Sequence, residues 1–552
     1  MTNNITDTEK EDLISQFPHL NHLEPPIKVV ISGAGLAGII TGIILSSKIP
    51  NIDLTLLERS ANFGGVWFDN QYPGIQCDVP IHAYQLSFDP KKDWKSAYAA
   101  GSDIRQYWTD RAKKYGLDTK TKFGHNIKEA KWDKDSSQWI LQVEKGSESL
   151  EIRADVFIAS SGALNNPRYP LPQPGFASFQ GVKFHPQKWP KDFSLEDLKG
   201  MRVALIGNGA TGVQLLPQVA KHAAHVDHYA KEATWIAHSL FGPRVPGYVD
   251  YSSDDIDSIK SDEDYHAFRK ELETYIGGKY NLFFFGTPLY RESIKELLAV
   301  AWTRVGKDPE LFRKVVPTYP PGSRRLLPAP GYLEALTKPH VDFHLGEVKE
   351  FTKDGVIGFD GIERKADVVI AATGFVFENG RGYTPNYEIV GTDGYTLREH
   401  FSPLDSKLGY SASYLGLSAP GFPNLFYTLS VNSYIREAPV PATVELQATY
   451  IAQAIRKKQR ERIRTIEPSL RATEAFNKRI TEFSEAASLA RGRSGHFRET
   501  TREGTNRVKI AWPGSHSHAL AVLRDPRWED FEYEYDGDPF AFSREDVERS
   551  LD

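Results

Sequence analysis

Residues 29–38 read Val-Val-Ile-Ser-Gly-Ala-Gly-Leu-Ala-Gly, in which a β-branched run passes into three glycines with G-x-G-x-x-G spacing. A helical pattern follows at residues 36–47, and the strand-like run 53–58 ends on the acidic residue Glu58. The glycines of such a stretch allow a tight turn, a close approach of the backbone to a pyrophosphate, and close packing of helix on strand. The helix N-terminus holds the phosphates, and a carboxylate at the strand end accepts hydrogen bonds from ribose hydroxyls. The stretch therefore predicts a dinucleotide-binding unit that uses Gly33, Gly35, Gly38 and Glu58.

A second unit of the same kind is predicted at residues 201–230. A strand-like run leads into Gly207-Asn-Gly-Ala-Thr-Gly212, which is followed by a helical pattern and another strand-like run. The residue that corresponds to Glu58 is Lys231, and a cation there pairs with the 2′-phosphate of NADPH, whereas a carboxylate repels it. The first unit thus fits FAD or NAD, and the second favours NADPH over NADH. Lys231 is also explained as a solvated lysine at a strand end, and Glu232 beside it weakens the phosphate assignment.

Two further apolar runs, 155–162 and 367–374, each end in glycine and fit strands that complete a nucleotide-binding sheet. Their positions indicate that the first domain is interrupted by the second. We therefore predict an α/β fold with two Rossmann-like dinucleotide-binding domains, for FAD and NADP, and a helical insertion in the second. The predicted boundaries are 1–162 for the first part of the FAD domain, 163–373 for the NADP domain with its insertion at about 250–317, and 374–552 for the second part of the FAD domain with a C-terminal segment. Amphipathic patterns predict two packing helices in that last segment, at 443–464 and 469–489.

The composition excludes several classes of protein. The 552 residues carry 67 basic and 72 acidic side chains, a net charge of −5, without the basic excess of a nucleic-acid-binding domain. Cys77 is the only cysteine, which excludes a disulfide framework, a redox dithiol, and zinc sites built from four cysteines or from two cysteines and two histidines. The apolar run 29–45 contains four glycines, and residues 1–28 lack the order of a secretory signal. We predict a cytoplasmic protein with no membrane span, no bound nucleic acid and no metal site.

Two longer motifs give the chain a family resemblance. Residues 179–190, Phe-Gln-Gly-Val-Lys-Phe-His-Pro-Gln-Lys-Trp-Pro, match the pattern FxGxxxHxxxW(P/D). Residues 64–78 match (A/G)GxWxxxx(Y/F)P(G/M)xxxD in full. From residue 29 to about residue 530, the chain resembles the class B flavoprotein monooxygenases of the Baeyer–Villiger type, and it is most similar to their shorter, fungal-type members.

That resemblance implies a reaction. FAD is reduced by NADPH, O2 adds at the flavin C4a, and the resulting peroxyflavin inserts one oxygen atom next to a ketone carbonyl to give an ester or a lactone. The peroxide must attack as an anion, and an anion in a dry pocket requires a fixed cation nearby. Arg325 resembles the family's catalytic arginine, and Asp78 resembles the carboxylate that pairs with it. An arginine suits this role because it stays charged at any working pH.

The resemblance also extends the set of cofactor-binding residues. Arg324 resembles the basic residue that binds the 2′-phosphate of NADP, Trp67 and Tyr72 border the flavin within their motif, and Tyr84 matches a further flavin contact. His185 is left outside the catalytic set, because the resemblance gives it a role in coupling the domains. The residues predicted to bind FAD or NADP are Gly33, Gly35, Gly38, Glu58, Arg59, Val66, Trp67, Tyr72, Asp78, Tyr84, Gly207, Gly209, Thr211, Gly212, Lys231, Arg324 and Arg325.

Three other functions compete with this one. A related flavin enzyme would oxidise nitrogen or sulfur, or catalyse an oxidative rearrangement in a biosynthetic pathway; Arg325 with Asp78 argues against it without excluding it. A disulfide reductase needs a cysteine pair that the chain lacks. An inactive nucleotide-binding sensor is disfavoured because both glycine loops and the Arg–Asp pair are intact. The expected substrates are O2 and a ketone or related apolar molecule. Residues 283–285 and 430–441 are candidates to line the substrate pocket, although core packing explains the aromatic run 283–285 better.

Overall fold

A computed structural model describes residues 25–536 except 171, 238–249, 279, 281–283, 285, 377–382, 486 and 488–497. The strands in chain order are β1 Ile27–Ser32, β2 Ile52–Glu58, β3 Thr121–Phe123, β4 Asn126–Asp133, β5 Gln138–Lys145, β6 Glu148–Ala154, β7 Val156–Ala159, β8 Val182–Phe184, β9 Arg202–Ile206, β10 His225–Ala230, β11 Ile236–Ala237, β12 Leu327–Pro328, β13 Val341–Leu345, β14 Glu350–Phe351, β15 Gly355–Ile357, β16 Glu363–Lys365, β17 Val368–Ala371, β18 Glu388–Val390, β19 Leu425–Tyr427, β20 Ile463–Pro468, β21 Arg498–Thr500, β22 Asn506–Val508 and β23 Phe531–Tyr535. The α-helices are α1 Leu36–Lys48, α2 Val66–Asp69, α3 Gly101–Lys114, α4 Ala210–His222, α5 Ser253–Asp257, α6 Asp262–Gly278, α7 Pro288–Arg304, α8 Pro309–Val315, α9 Tyr332–Ala335, α10 Leu397–His400, α11 Val440–Arg460, α12 Leu470–Glu485 and α13 His516–Arg524. Within these ranges, no helix is both long and apolar enough to cross a bilayer.

The first five-stranded sheet forms around the first glycine loop. Its strand order is β19-β7-β1-β2-β3, and all neighbouring strands are parallel. β1 is buried over most of its length, as a run of β-branched residues predicts for a central parallel strand. α1 packs against this sheet and is buried from Leu36 to Leu45, and α11 packs against α1 from the other side. The glycine loop therefore lies at the carboxyl edge of a well-supported sheet, where open α/β sheets bind ligands.

The second five-stranded sheet repeats this arrangement. Its order is β13-β10-β9-β17-β8, again with parallel neighbours. α4 follows β9 directly and buries its apolar face, and α9 packs against α4. The second glycine loop thus occupies the same place on its own sheet, between the end of β9 and the start of α4.

The two sheets are interleaved along the chain. β8 to β17 contain the second sheet, and β19, which comes later in the sequence, pairs with β7 of the first sheet. A smaller sheet of order β18-β4-β5-β6 combines strands from before and after the second sheet in the same way. Helices α5 to α8 lie between β11 and β12. The chain consequently crosses between the two sheets in both directions, and these crossings bring distant segments together.

One helix is shorter than its sequence pattern predicts. The amphipathic pattern at 443–464 predicts a single helix, but α11 ends at Arg460 and β20 begins at Ile463. Arg462 has a φ of +50°, which interrupts helical geometry, and β20 pairs in antiparallel fashion with β23. Strand pairing therefore overrides the helical period at this point. The pattern at 469–489 corresponds to α12 as far as Glu485, and residues 486, 488 and 489 lie outside the described part of the chain.

Candidate active site

The glycines at the ends of the two central strands are required by close backbone contacts. Gly33 has a φ of +98°, and a Cβ there would lie 2.7 Å from the carbonyl oxygen of Ser160 on the neighbouring segment. A Cβ on Gly38 would lie only 1.9 Å from the carbonyl oxygen of Gly33. The second loop has the same geometry, since Gly207 has a φ of +103° and a Cβ on Gly212 would lie 1.9 Å from its carbonyl oxygen. Both loops thus form the tight turn expected of phosphate-binding segments.

The helices that follow these loops begin without a side-chain cap. Gly35 precedes α1 and Gly209 precedes α4, and neither end has a hydrogen bond from a capping side chain. The first amides of each helix are therefore available to a phosphate. A Cβ on Gly209 would meet nothing within 4 Å, whereas one on Gly35 would lie 3.2 Å from the Cα of Gly65. The open space at Gly209 and the uncapped helix ends fit two bound dinucleotides.

Glu58 is oriented by the glycine loop itself. It is 5% exposed at the end of β2, and its Oε2 accepts a hydrogen bond from the N–H of Ala34 at 2.8 Å. Its Oε1 accepts one from the N–H of Ser60 at 2.7 Å. Each carboxylate oxygen keeps a second lone pair, so Glu58 can still accept hydrogen bonds from ribose hydroxyls. Arg59 points elsewhere and forms an exposed ion pair with Asp69 at 3.0 Å.

The loop that follows Gly65 brings aromatic side chains to the same edge. Gly65 has a φ of +53° and precedes α2, which starts at Val66. Trp67 is buried, and its ring meets that of Tyr84 edge to face with centroids 5.9 Å apart. Burial raises the pKa of Tyr84 well above its ordinary value, so its hydroxyl stays protonated.

Tyr72 contacts the second sheet's helix rather than the aromatic pair. Its hydroxyl donates a hydrogen bond to Oε1 of Gln214 in α4 at 2.8 Å, and burial raises its pKa to about 12. Gln214 in turn donates from Nε2 to the carbonyl oxygen of Gln76 at 3.0 Å. Thr211, also in α4, lies beside the Tyr72 hydroxyl. Sequence reasoning missed Gln214, which ties the 72–76 loop to the helix of the second glycine loop.

Arg325 and Asp78 meet although 247 residues separate them. Nε of Arg325 donates to Oδ2 of Asp78 at 2.9 Å, and about a third of each side chain is exposed. Burial alone lowers the pKa of Arg325, but the charge of Asp78 and contacts with Asp78 and Tyr434 outweigh it and raise that pKa above its ordinary value. Tyr434 lies in the 430–441 segment that the sequence analysis placed near the substrate, but the contact with Arg325 was not predicted. The guanidinium is therefore a permanent cation with a fixed orientation.

The two cations expected at the 2′-phosphate both have acidic partners. Lys231 is 72% exposed and pairs with Glu347. Nη2 of Arg324 lies 2.7 Å from Oε2 of Glu232, and its guanidinium stacks on the ring of Tyr319 at 4.7 Å. A bound 2′-phosphate would replace the two carboxylates as the partner of Lys231 and Arg324. The preference for NADPH over NADH therefore depends on how much more strongly these cations bind the phosphate than the carboxylates.

His185 joins the two segments along which the chain crosses between the sheets. Its Nε2 lies 3.0 Å from the carbonyl oxygen of Gly374, and its Nδ1 accepts a hydrogen bond from the N–H of Gln187 at 3.2 Å. Because Nδ1 is an acceptor, the proton of the neutral ring is assigned to Nε2, which donates to Gly374. Burial lowers the pKa of His185 to about 4. The ring is therefore a neutral connector between the crossing segments.

We expect His185 to make the protein less stable as the pH falls from about 6.5 to about 4. In the unfolded chain the ring binds a proton below about pH 6.5, whereas in the folded chain it stays neutral until about pH 4, so unfolding takes up a proton in this window. His185→Gln keeps a donor and an acceptor but cannot titrate. Its unfolding free energy should fall less steeply, by about 1.4 kcal/mol per pH unit, as measured by denaturant unfolding from pH 7 to 4.5. The exposed His266→Gln serves as the control, and equal slopes for wild type and His185→Gln would contradict the assignment.

The sequence is similar to those of several known proteins. A sequence-family profile described as an NAD(P)-binding Rossmann-like domain matches residues 31–100. The FAD-binding monooxygenase moxY of Dothistroma septosporum is 29% identical over 93% of this chain and 81% of its own. A Baeyer-Villiger monooxygenase of Pseudomonas aeruginosa is 30% identical over 82% of this chain and 81% of its own. The chain belongs to the Baeyer–Villiger monooxygenase family.

A solved structure extends the likeness to the whole fold. The crystal structure of cyclohexanone monooxygenase from Rhodococcus sp. Phi1 bound to NADP+ superposes with a TM-score of 0.77 at 23% identity, covering 93% of this chain and 100% of that one. Membership of the Baeyer–Villiger monooxygenase family confirms the predicted fold class and enzyme class. The two predicted cofactors match the FAD-binding description of moxY and the NADP+ bound to the cyclohexanone monooxygenase. The domain boundaries and the roles of individual residues stay predictions.

Proposed function

We propose that the protein is an FAD- and NADPH-dependent monooxygenase that inserts one oxygen atom of O2 next to a ketone carbonyl. In the balanced reaction, a ketone, O2, NADPH and a proton give an ester or lactone, NADP+ and water. The supporting observation is the ion pair between Arg325 and Asp78, which provides a fixed cation where the loops of the two sheets meet. FAD, when bound, supplies the activation of O2 with electrons from NADPH.

Arg325 is the residue to which we assign the stabilisation of charge. Nucleophilic insertion of oxygen builds negative charge, which moves onto the former carbonyl oxygen when the carbonyl is attacked. A preorganised guanidinium stabilises this charge without having to reorient. Asp78 holds the Nε edge at 2.9 Å and so fixes the plane of the guanidinium. In this assignment Asp78 positions Arg325 and does not itself transfer a proton.

The two glycine loops divide the cofactors between them. The buried carboxylate of Glu58 at the first loop suits the ribose hydroxyls of FAD. At the second loop, Lys231 and Arg324 suit the 2′-phosphate of NADPH, which favours NADPH over NADH. The hydrogen bonds of Gln214 keep the 72–76 loop close to the second glycine loop.

The direct test is turnover of a ketone panel by purified, FAD-loaded protein in air. We expect ketone-dependent NADPH consumption and a product that is one oxygen atom heavier than the ketone, identified as an ester or lactone by mass and NMR. A thioether of similar size is the comparison, because a heteroatom oxygenase would form sulfoxide and leave the ketones unchanged. Sulfoxide formation with unchanged ketones, or purified protein that takes up no FAD, would contradict the proposal.

A further inference from the structure

Arg436 is a buried arginine to which the proposed reaction assigns no role. It is 5% exposed. Among the residues that the structure describes, no atom accepts a hydrogen bond from its Nε, Nη1 or Nη2. A buried charge without acceptors is costly, since nothing replaces the water that it has lost. Buried polar groups of this kind are rare in folded proteins and require a specific explanation.

The immediate surroundings of Arg436 do not supply that explanation. Its guanidinium lies over the rings of Phe284 and Phe483, 5.8 Å and 5.2 Å from their centroids. Such contacts offset only part of the lost hydration, and burial accordingly lowers the pKa of Arg436. Glu437 follows in the chain and interacts electrostatically with Arg436, but its Oε1 accepts the N–H of His516 at 2.6 Å, and its Oε2 has no hydrogen-bond partner among the described residues. The aromatic rings hold the guanidinium in place, while no described residue accepts a hydrogen bond from its side-chain N–H groups.

Arg436 is also close to the proposed centre of reaction. Ile435 is 2% exposed and belongs to the core around the first sheet. Tyr434, on the other side of it, contacts Arg325 and also interacts electrostatically with Arg436. The same tyrosine is therefore a neighbour of both guanidiniums. One of these cations is held by the carboxylate of Asp78. The other interacts electrostatically with Glu437 but has no hydrogen-bond acceptor in the described part of the chain.

We propose that Arg436 binds a carboxylate of the substrate, so that the preferred substrate is a keto acid whose carbonyl reacts beside Arg325. This inference rests on the proposed function and names its substrate class. The planar N–H fork of arginine matches a carboxylate in two parallel hydrogen bonds. A doubly charged group such as a phosphate fits less well, because its second negative charge would be repelled by Glu437, which already interacts electrostatically with Arg436. Phe284 and Phe483 suit the hydrocarbon part of the molecule.

Ligand binding tests the assignment without turnover. The probes are 2-oxocyclohexaneacetate, its homologues with up to three more methylenes, and the methyl ester of each acid. We expect at least one acid, and not its ester, to raise the melting temperature of the FAD-loaded protein by several degrees. The shift should be absent in Arg436→Gln. Acid and ester that act alike on the unchanged chain would overturn the proposal, and this comparison needs no variant to fold.

Stability without ligand separates a binding role from a structural one. If Arg436 is kept for a ligand, Arg436→Met should raise the melting temperature, because a buried guanidinium without hydrogen-bond acceptors among the described residues is replaced by an apolar chain of similar length. If the arginine serves only to anchor Phe284 and Phe483, the same variant should melt at a lower temperature, which would overturn the proposal.

Turnover then links the site to the reaction. We expect kcat/KM of the wild type to favour the acid over its ester by about 100-fold, since a site built for a charged group discriminates against a substrate that lacks it. Arg436→Gln should lose this preference and keep its activity on the ester, while Arg524→Ala, an arginine that is 71% exposed, should leave both unchanged. A preference that survives in Arg436→Gln would refute the role of Arg436. If an acid binds through Arg436 but no ketone is oxygenated, the proposed function fails while the carboxylate site stands.

Discussion

Replacement of Arg325 by alanine should reduce ester formation by about 1,000-fold or more, while the reduction of bound FAD by NADPH stays within about threefold. The reason is that hydride transfer to FAD builds no negative charge on the substrate, whereas attack on the carbonyl does. The two steps are measured separately: anaerobic bleaching of the flavin in a stopped-flow instrument reports reduction, and quantitative product analysis reports oxygen insertion. NADPH oxidation should continue in the variant without formation of ester.

Two further variants make this result specific. Arg325→Lys keeps the positive charge but loses the Nε edge that Asp78 holds at 2.9 Å, so ester formation should fall between that of wild type and that of Arg325→Ala. Arg524→Ala removes a highly exposed arginine and should behave like wild type. Ester formation by Arg325→Ala at the parental rate would show that the cation has a different role.

Removal of both cations at the second glycine loop should raise KM for NADPH by about 100-fold and leave KM for NADH nearly unchanged. The double variant is Lys231→Ala with Arg324→Ala. NADPH loses two charge-assisted contacts to its 2′-phosphate, whereas NADH has no group at that place. The measurement is steady-state NAD(P)H oxidation with each nucleotide at a saturating concentration of ketone.

The matched control for this pair lies in the helical insertion. Lys295→Ala with Arg313→Ala removes the same two charges from exposed positions, so it shows the effect of net charge alone. It should change KM for both nucleotides by less than about twofold. Equal weakening of NADPH and NADH in the Lys231/Arg324 variant would contradict the 2′-phosphate assignment.

The sequence predicted those parts of the site that depend on local chemistry. The turns at Gly33 and Gly207 follow from neighbouring residues, because strand, glycine spacing and helix lie within one short stretch in each case. The acid at the end of β2 belongs to the same local unit. By contrast, nothing local relates Asp78 to Arg325, and only the family resemblance paired them.

Other contacts depend on packing that the sequence does not encode in a readable pattern. Tyr72 forms a hydrogen bond with Gln214 because the loop after α2 folds onto α4. No period in the sequence indicates that contact. Arg436 is a single arginine in an irregular segment, and the sequence around it does not distinguish a buried arginine from an exposed one. The end of α11 at Arg460 depends on the pairing of β20 with β23, a partner that lies far along the chain.

The strand β19, at Leu425–Tyr427, has a consequence for biosynthesis. The chain must be synthesised as far as Tyr427 before β19 can join the sheet that contains the first glycine loop, whereas every strand of the other sheet has been synthesised by Ala371. The second sheet can therefore form first, and the strands of the first sheet remain exposed and incompletely paired until β19 has been synthesised. Dependence on chaperones and loss of folding upon truncation should therefore affect the sheet of the first glycine loop more than the sheet of the second.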